Sequence, residues 1–321
     1  MKSYTKQYLG KGKQSGVAVI TAVLVLALAA TAAISISANY QLNMRRTENA
    51  FNSGQAWAYA KGAEEWAMAI LARDQKDSPG YDGFDEAWWN NDEPLVFPLP
   101  GGLIEGKLED AQGKLNVNLL KQGSTLNAGM KVRFERLFAK LDISPGLVCA
   151  IIDWIDSDLD PECSEGAEAD IYSSLDAPYL PADQPMSDIS ELRLVHGITE
   201  EMYFKLLPHI TALSDVNTPL NVNTASAEVL ETLGPNIPSG VGQELVEERE
   251  EKPFKQPQDL VNNLNQRGLT ADINNSPIAM GSNYFLLNTK CVIGNSQVKM
   301  VSMIHRGGGN NLTVVKRSQN L

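Results

Sequence analysis

The sequence predicts an α+β protein in which one long N-terminal helix packs on an antiparallel β-sheet and a large all-helical domain is inserted between the strands of that sheet. Three features carry this prediction. An uncharged, almost wholly apolar run at residues 17–38 continues without proline to residue 73. Alternating, strand-like segments stand near residues 103–117 and 284–316, at the two ends of the remaining chain. Between them lies a diverged repeat with helical apolar spacing. The 321 residues suit one large or two modest domains, and 43% apolar residues suffice for a buried core. The balance of 27 Lys and Arg against 39 Asp and Glu, a formal charge of −12, opposes a phosphate-backbone binder, which needs a basic face. Three Cys without a Cys-x-x-Cys pair exclude a dense disulfide framework and the common zinc and redox motifs.

The charge is unevenly placed. Residues 1–16 hold Lys2, Lys6, Lys11 and Lys13 and no acid, so the chain beyond them carries 23 basic against 39 acidic residues. As a helix, residues 17–38 span about 33 Å, enough for a bilayer core of about 30 Å. Four Lys before that span predict a cytoplasmic N-terminus and a body on the other side. Three readings compete for this start: a secretory signal cleaved at Ala30-Thr31-Ala32, an uncleaved anchor, or a short basic leader ending in Gly16, with the apolar run opening at Val17. The residues beyond the apolar run favour the third. Tyr59, Ala63, Trp66 and Ile70 recur at helical spacing, which predicts one continuous helix of about 85 Å over residues 17–73. A discarded signal has no reason to be continuous with such a helix.

Lys11-Gly12-Lys13-Gln14-Ser15-Gly16, directly before Val17, resembles the leader of the type IV pilin and pseudopilin family. The resemblance implies that prepilin peptidase cuts between Gly16 and Val17 and leaves the apolar helix on the mature subunit. Most pilins carry Glu at the fifth mature position, where this chain has Thr21. An unpartnered carboxylate is costly in lipid, so a subunit with no neighbour ahead of it does without one. Among pseudopilins this absence resembles the K subunit.

Residues 74–101, rich in Asp, Asn, Pro and Gly, read as a loop. Residues 103–108 and 114–117, joined through Asp110-Ala111-Gln112-Gly113, read as a β-hairpin with Ile104 and Leu108 on one face. At the other end, residues 284–293 and 297–305 flank Gly294-Asn295-Ser296 as a turn, and 312–316 follow Gly307-Gly308-Gly309. Strands from both ends share one sheet, which makes 119–279 an insertion. The expected organisation is then a leader at 1–16, the N-terminal helix at 17–74, and a body in two parts, 75–118 and 280–321.

Within the insertion, Leu115-Asn116-Val117-Asn118 returns as Leu220-Asn221-Val222-Asn223. Pro145, Val148 and Ile152 return as Pro238, Val241 and Leu245, and Asp188 with Gly197 as Asp259 with Gly268. Each copy predicts a helix, a tight turn with proline and a second amphipathic helix. The second copy resembles helix-hairpin-helix DNA-binding modules, and Gly240-Val241-Gly242 supplies the turn. Its next helix nevertheless carries Glu244, Glu247, Glu248, Glu250 and Glu251 against Arg249 and Lys252, so the charge opposes DNA.

Between Leu141 and Leu192 there are 13 acids and no Lys, Arg or His. Aromatic and aliphatic residues interleave them, which suggests an ordered segment, and ordered carboxylates at short range ask for a cation. Ca²⁺, with its roughly 6–8 oxygen ligands, suits such a set. The candidate ligands are Asp153, Asp156, Asp158, Asp160, Glu165, Glu168 and Asp170. An EF-hand does not fit, because counting from Asp156 puts Pro161 at the sixth position and Ala167 at the twelfth. An irregular calcium loop and a solvated acidic loop both stand as readings. Cys149 and Cys163 flank this segment and could bridge in an oxidising compartment, or Cys149 is a core thiol; Cys291 reads as core packing. His196, His209 and His305 are scattered and sit in no nucleophile motif.

Asp153-Trp154-Ile155-Asp156-Ser157-Asp158, Gly166-Ala167-Glu168 and Ser190-Glu191-Leu192-Arg193 resemble the inserted domain of the K pseudopilins of type II secretion systems, a family with calcium-bound members. With the leader and Thr21, the resemblance covers nearly the whole chain. It implies a type IV pilin-like fold with a helix-hairpin-helix-like repeat in its insert, and no enzymatic activity. It further implies a minor pseudopilin at the tip of the periplasmic pseudopilus, initiating or capping its assembly for protein secretion. The implied partners are the I and J minor pseudopilins, prepilin peptidase and the inner membrane, without nucleic acid; the implied cofactor is calcium. The alternatives are a membrane-anchored periplasmic calcium-dependent hydrolase and a helix-hairpin-helix DNA-uptake receptor.

Overall fold

The computed structural model describes residues 15–123, 125–215, 217–273, 277–308 and 311–319. The leader Lys residues and Gly309 lie outside them. Helix α1 (Ser15–Asp77) is followed by strands β1 (Leu95–Leu99) and β2 (Gly102–Asp110). The insert opens with β3 (Leu115–Asn116) and the two-strand ladder of β4 (Lys121–Gln122) with β5 (Thr125–Leu126). Helices α2 (Ala128–Lys140), α3 (Leu147–Ile155), α4 (Ala169–Ser173) and α5 (Glu200–Leu206) follow, closed by β6 (Ile210–Thr211), which runs parallel to β3. A second round repeats the plan: β7 (Leu220–Asn221), α6 (Ala227–Glu231), α7 (Val241–Glu251), α8 (Pro257–Gln266) and β8 (Ile278–Ala279), parallel to β7. The chain then returns to the sheet as β9 (Tyr284–Ile293), β10 (Ser296–Gly307) and β11 (Asn311–Gln319). The sheet is antiparallel in the order β1-β2-β9-β10-β11, with Gly102 opposite Ile293 and Asp110 opposite Phe285, so strands from both ends of the chain do share it.

From Val17 through residue 51 the side chains of α1 are exposed, Ile20, Leu24, Leu28 and Ile34 among them. So much bare apolar surface requires lipid or neighbouring helices. Beyond it, Ala56, Ala60, Glu64, Ala67, Leu71 and Asp74 are buried at helical spacing. Small Ala side chains let the helix axis approach the sheet, where Ile104, Cys291, Ile293 and Met300 meet Ala56 and Ala60, and Leu108, Phe285, Leu287 and Ile304 meet Ala67 and Leu71. The expected face of Tyr59, Ala63, Trp66 and Ile70 therefore lies one position round, at the rim of the contact. There Trp66 meets Phe97 of β1 edge to face, with ring centroids 5.2 Å apart.

The expected hairpin of 103–108 with 114–117 does not form. β2 pairs with β1, inside the expected loop, and with β9, while β3 joins the insert. The cause is Asp110. Its carboxylate accepts bonds from Gln112 N–H (2.7 Å), Asn221 Nδ2 (2.9 Å) and the hydroxyls of Thr224 and Ser282 (both 2.6 Å), so the apparent turn is a crossover pinned to the insert.

The two helical rounds share one fastening. Asn118 gives Nδ2 to Met186 O (3.0 Å) and takes Met186 N–H on Oδ1 (2.8 Å); Asn223 does the same with Phe254, at 2.8 and 3.0 Å. Two residues after each clamped residue a capping box opens the next turn, Asp188 with Glu191 and Gln256 with Asp259. Asp259 thus corresponds to Glu191 rather than to Asp188. Gly197 and Gly268, at φ of 80° and 75°, end the two segments, the second about one turn longer.

Candidate functional site

Helix α3 is buried along residues 148–155 and ends where Asp156 turns the chain extended. Two devices fold the following loop back over that end. Cys163 is joined to Cys149 of α3 by a disulfide, with Cα atoms 5.8 Å apart. Asp153, buried in the last turn of α3, accepts the N–H of Glu162 at 2.9 Å and of Ala167 at 2.8 Å. Burial pushes the Asp153 pKa up to about 6 in spite of those bonds. Gly166 passes so close that a Cβ there would lie 2.2 Å from Asp153 Oδ2.

This path sets Glu168 opposite Asp156 and Asp158, one carboxylate oxygen of each within 4.8 Å of the others. Both Glu168 oxygens and Asp156 Oδ1 are buried without a hydrogen-bond partner. Burial, then the charges of Asp153, Asp156 and Asp158, push Glu168 up to about 7. Asp156 is also raised, burial outweighing its bond from Lys121. Exposed Asp158 is lowered by that same ammonium, which lies 2.8 Å from its Oδ2 and also bonds Asp156 Oδ2. Burial opposes the charge on Lys121, but the two Asp partners prevail and hold its pKa at about 12.

The other expected ligands lie outside this cluster of three, bonded elsewhere or exposed. Glu165 accepts the Ser144 hydroxyl at 2.9 and 3.1 Å, Asp170 takes the N–H of Ile171 at 2.8 Å, and Asp160 is exposed, its own N–H donated to Asp158 at 3.1 Å. Asp153 spends both oxygens on the backbone. The cluster thus narrows to Asp156, Asp158 and Glu168, with Lys121 beside it. Lys121 sits far upstream in sequence, where counting charges within the acidic segment cannot reach.

In the second round, Gly240 N–H and Gly242 N–H, the donors that a helix-hairpin-helix turn offers to phosphate, are taken by Glu231 Oε1 at 2.6 and 3.2 Å. Lys140 bonds the other Glu231 oxygen at 2.6 Å. That turn carries its own anion. His209 Nδ1 lies 2.8 Å from Ser226 Oγ and 3.8 Å from Glu228, both on the same ring nitrogen. A nucleophile triad needs the acid on the other nitrogen. Gly16 and Val17 lie on the exposed first turns of α1.

A membrane-length helix that continues unbroken as the spine of an antiparallel sheet defines a pilin-like filament subunit, here enlarged by a two-round helical insert. Models of type II secretion system protein K match residues 113–215 and 220–279, the two rounds of the insert. Type II secretion system protein K of Pseudomonas aeruginosa is 33% identical, covering 95% of this chain and 92% of that protein. The Pectobacterium carotovorum protein K is 32% identical, over 93% and 94%. A solved chain of the GspK-GspI-GspJ complex from enterotoxigenic Escherichia coli superposes with a TM-score of 0.68 at 26% identity, covering 86% of this chain and 99% of that one. The chain belongs to the protein K family, the minor pseudopilins of type II secretion systems.

Proposed function

We propose that the chain caps the periplasmic tip of the pseudopilus, packs there with the I and J minor pseudopilins, and helps to initiate assembly from the inner membrane. The observation that carries this reading is α1, apolar and exposed through its first half and the spine of the head through its second. The solved complex of a similar chain with GspI and GspJ supports the partners. Thr21 supports the leading position, because its hydroxyl bonds Ala18 O of its own helix at 3.0 Å and offers no charge to a subunit ahead. The Lys-rich start supports a cytoplasmic N-terminus and processing by prepilin peptidase after Gly16. N-terminal sequencing of the mature protein tests this: the expected start is Val17, and a start near Ala33 or at Met1 overturns it. Co-purification of the I and J subunits with the full chain tests the partners.

The calcium reading fits the donor set, since three buried carboxylate oxygens lack partners. Asp156, Asp158 and Glu168 would hold the ion, which would supply the positive charge that Asp156 and Asp158 otherwise draw from Lys121 and that Glu168 lacks. Lys121 itself favours a second reading, in which its ammonium replaces the metal.

A further inference from the structure

Lys121 belongs to β4, before the acidic segment, yet its ammonium lies 2.8 Å from Asp158 Oδ2 and bonds Asp156 Oδ2 as well. Its side chain is only 8% exposed, so the charge is built into the site and not laid over it. Glu168, 4% exposed, gives neither oxygen to a donor, and Asp156 Oδ1 is also buried without a partner. Those three oxygens stand open to a divalent ion. Asp158 is already committed, with Oδ1 on the N–H of Asp160 at 3.1 Å and Oδ2 on Lys121.

We propose that Lys121 is a resident competitor of calcium at this cluster, so that it sets the affinity of the site and lets the ion leave without undoing the loop. The proposal rests on the calcium reading of Asp156, Asp158 and Glu168. The charges give its sign. Three ionised carboxylates present −3 to an arriving ion, and with Lys121 among them the cluster presents −2. An ion sharing Asp158 Oδ2 with the ammonium would stand within about 5 Å of it, where like charges repel strongly in a site screened from water. By linkage, the affinity that Lys121 takes from calcium is the hold that calcium takes from the Lys121 ion pair. When no ion is bound, the same ammonium ties β4 to the end of α3 and supplies the charge that Asp156 and Asp158 require.

The test uses the full chain in detergent at pH 8, where Glu168, pushed up to about 7, is ionised. Calcium chloride is titrated calorimetrically into the wild type, Lys121→Met and Lys121→Arg. Lys121→Met should bind calcium at least about tenfold more tightly than the wild type and melt lower than it in chelator, while Lys121→Arg, which keeps the charge, stays within about threefold. A second measurement needs no variant: acetylation of Lys121 by an N-hydroxysuccinimide ester, followed by peptide mass spectrometry. Saturating calcium should speed it severalfold, with Lys140, paired to Glu231, as the unchanged reference. Equal affinity in the wild type and Lys121→Met, a gain shared by Lys121→Arg, or acetylation indifferent to calcium overturns the proposal and leaves the calcium reading standing. Calcium uptake by none of the three chains overturns the calcium reading itself, and the proposal with it.

Discussion

Replacing Asn118 by Ala tests how the insert is held together. Asn118 is fully buried and satisfies both backbone groups of Met186, a residue far along the chain, while a second bond from Nδ2 reaches Leu213 O at 3.0 Å. Leu213 O keeps a bond from Asn116 Nδ2 at 3.1 Å, so the substitution strands the N–H and C=O of Met186 alone. Each stranded buried group costs roughly 1–3 kcal/mol, and the emptied volume adds to that, so the expected loss is about 3–5 kcal/mol. Asn223→Ala strands Phe254 in the same way and should cost a similar amount. Asn118→Asp discriminates the mechanism. It keeps an acceptor for Met186 N–H but turns a carboxylate on the carbonyls of Met186 and Leu213, so it should destabilise at least as much as Ala. Urea unfolding of the mature chain in detergent, followed by fluorescence of buried Trp154, measures all three. A loss below about 1 kcal/mol for both Ala variants, or a tolerated Asp, refutes the clamp.

Three further outcomes rest on the charged clusters. Calcium at about 100 times its dissociation constant should stabilise the head by about 2.7 kcal/mol, roughly 5–10 °C in melting temperature, an effect lost in Glu168→Gln and kept in Asp170→Asn; melting indifferent to chelation leaves the cluster to Lys121. Glu64 lies below its usual range because Arg317 (2.7 and 2.8 Å) and Ser302 (2.6 Å) outweigh burial, so its stabilisation is present above about pH 4.5 and lost as pH falls further. In Arg317→Met only the Ser302 hydroxyl and the more distant charge of Lys61 remain to oppose burial, so this loss of melting temperature on acidification should shrink or vanish. Asp74 and Asp82 share Arg306 and burial raises both, Asp82 to about 8, so this pair costs stability as pH rises from about 4 through 8; Asp74→Asn should flatten that slope in unfolding midpoints measured across the range.

The parts of the fold that were legible in sequence were those set by local pattern. The length of α1, the turn at Gly294 and the strands β9, β10 and β11 arise from uninterrupted periodicity and a glycine of positive φ. The recurrence of Leu-Asn-Val-Asn marked the two rounds, although the reason for it, an Asn that clamps a distant backbone, is a long-range fact. The hairpin expectation failed because Asp110 looks like a turn residue and acts as a buried acceptor for partners more than a hundred residues away. In the acidic segment the order was legible and the ligand set only in part. Charge density placed Asp156, Asp158 and Glu168 among the candidates, but which acids the backbone would consume depended on how Asp153 and the Cys149–Cys163 bridge turned the loop.

The buried ionic groups also explain how the head can follow its helix. Apolar contacts between α1 and the sheet are made by Ala and Leu, and such contacts resist separation far more than sliding, because a shift of one turn brings up a similar surface. Directional bonds resist sliding. Glu64 of α1 is tied to Ser302 of β10 and Arg317 of β11, and Asp74 near its end is tied through Arg306 of β10 to Asp82, whose Oδ2 takes the N–H of Ser282. From Ser282 the chain of bonds continues through Asp110 to Asn221 and Thr224 of the insert. A load applied along α1 therefore reaches the second round of the insert through a continuous set of hydrogen bonds. The first round is held to the sheet by Lys316, which bonds Asp188 and Ser187 O, and by Leu213 packed with Tyr284, Leu286 and Met303. The directional path thus runs to the second round, whereas the first round is held by apolar packing and a half-exposed ion pair, so a load on α1 is carried chiefly through the second.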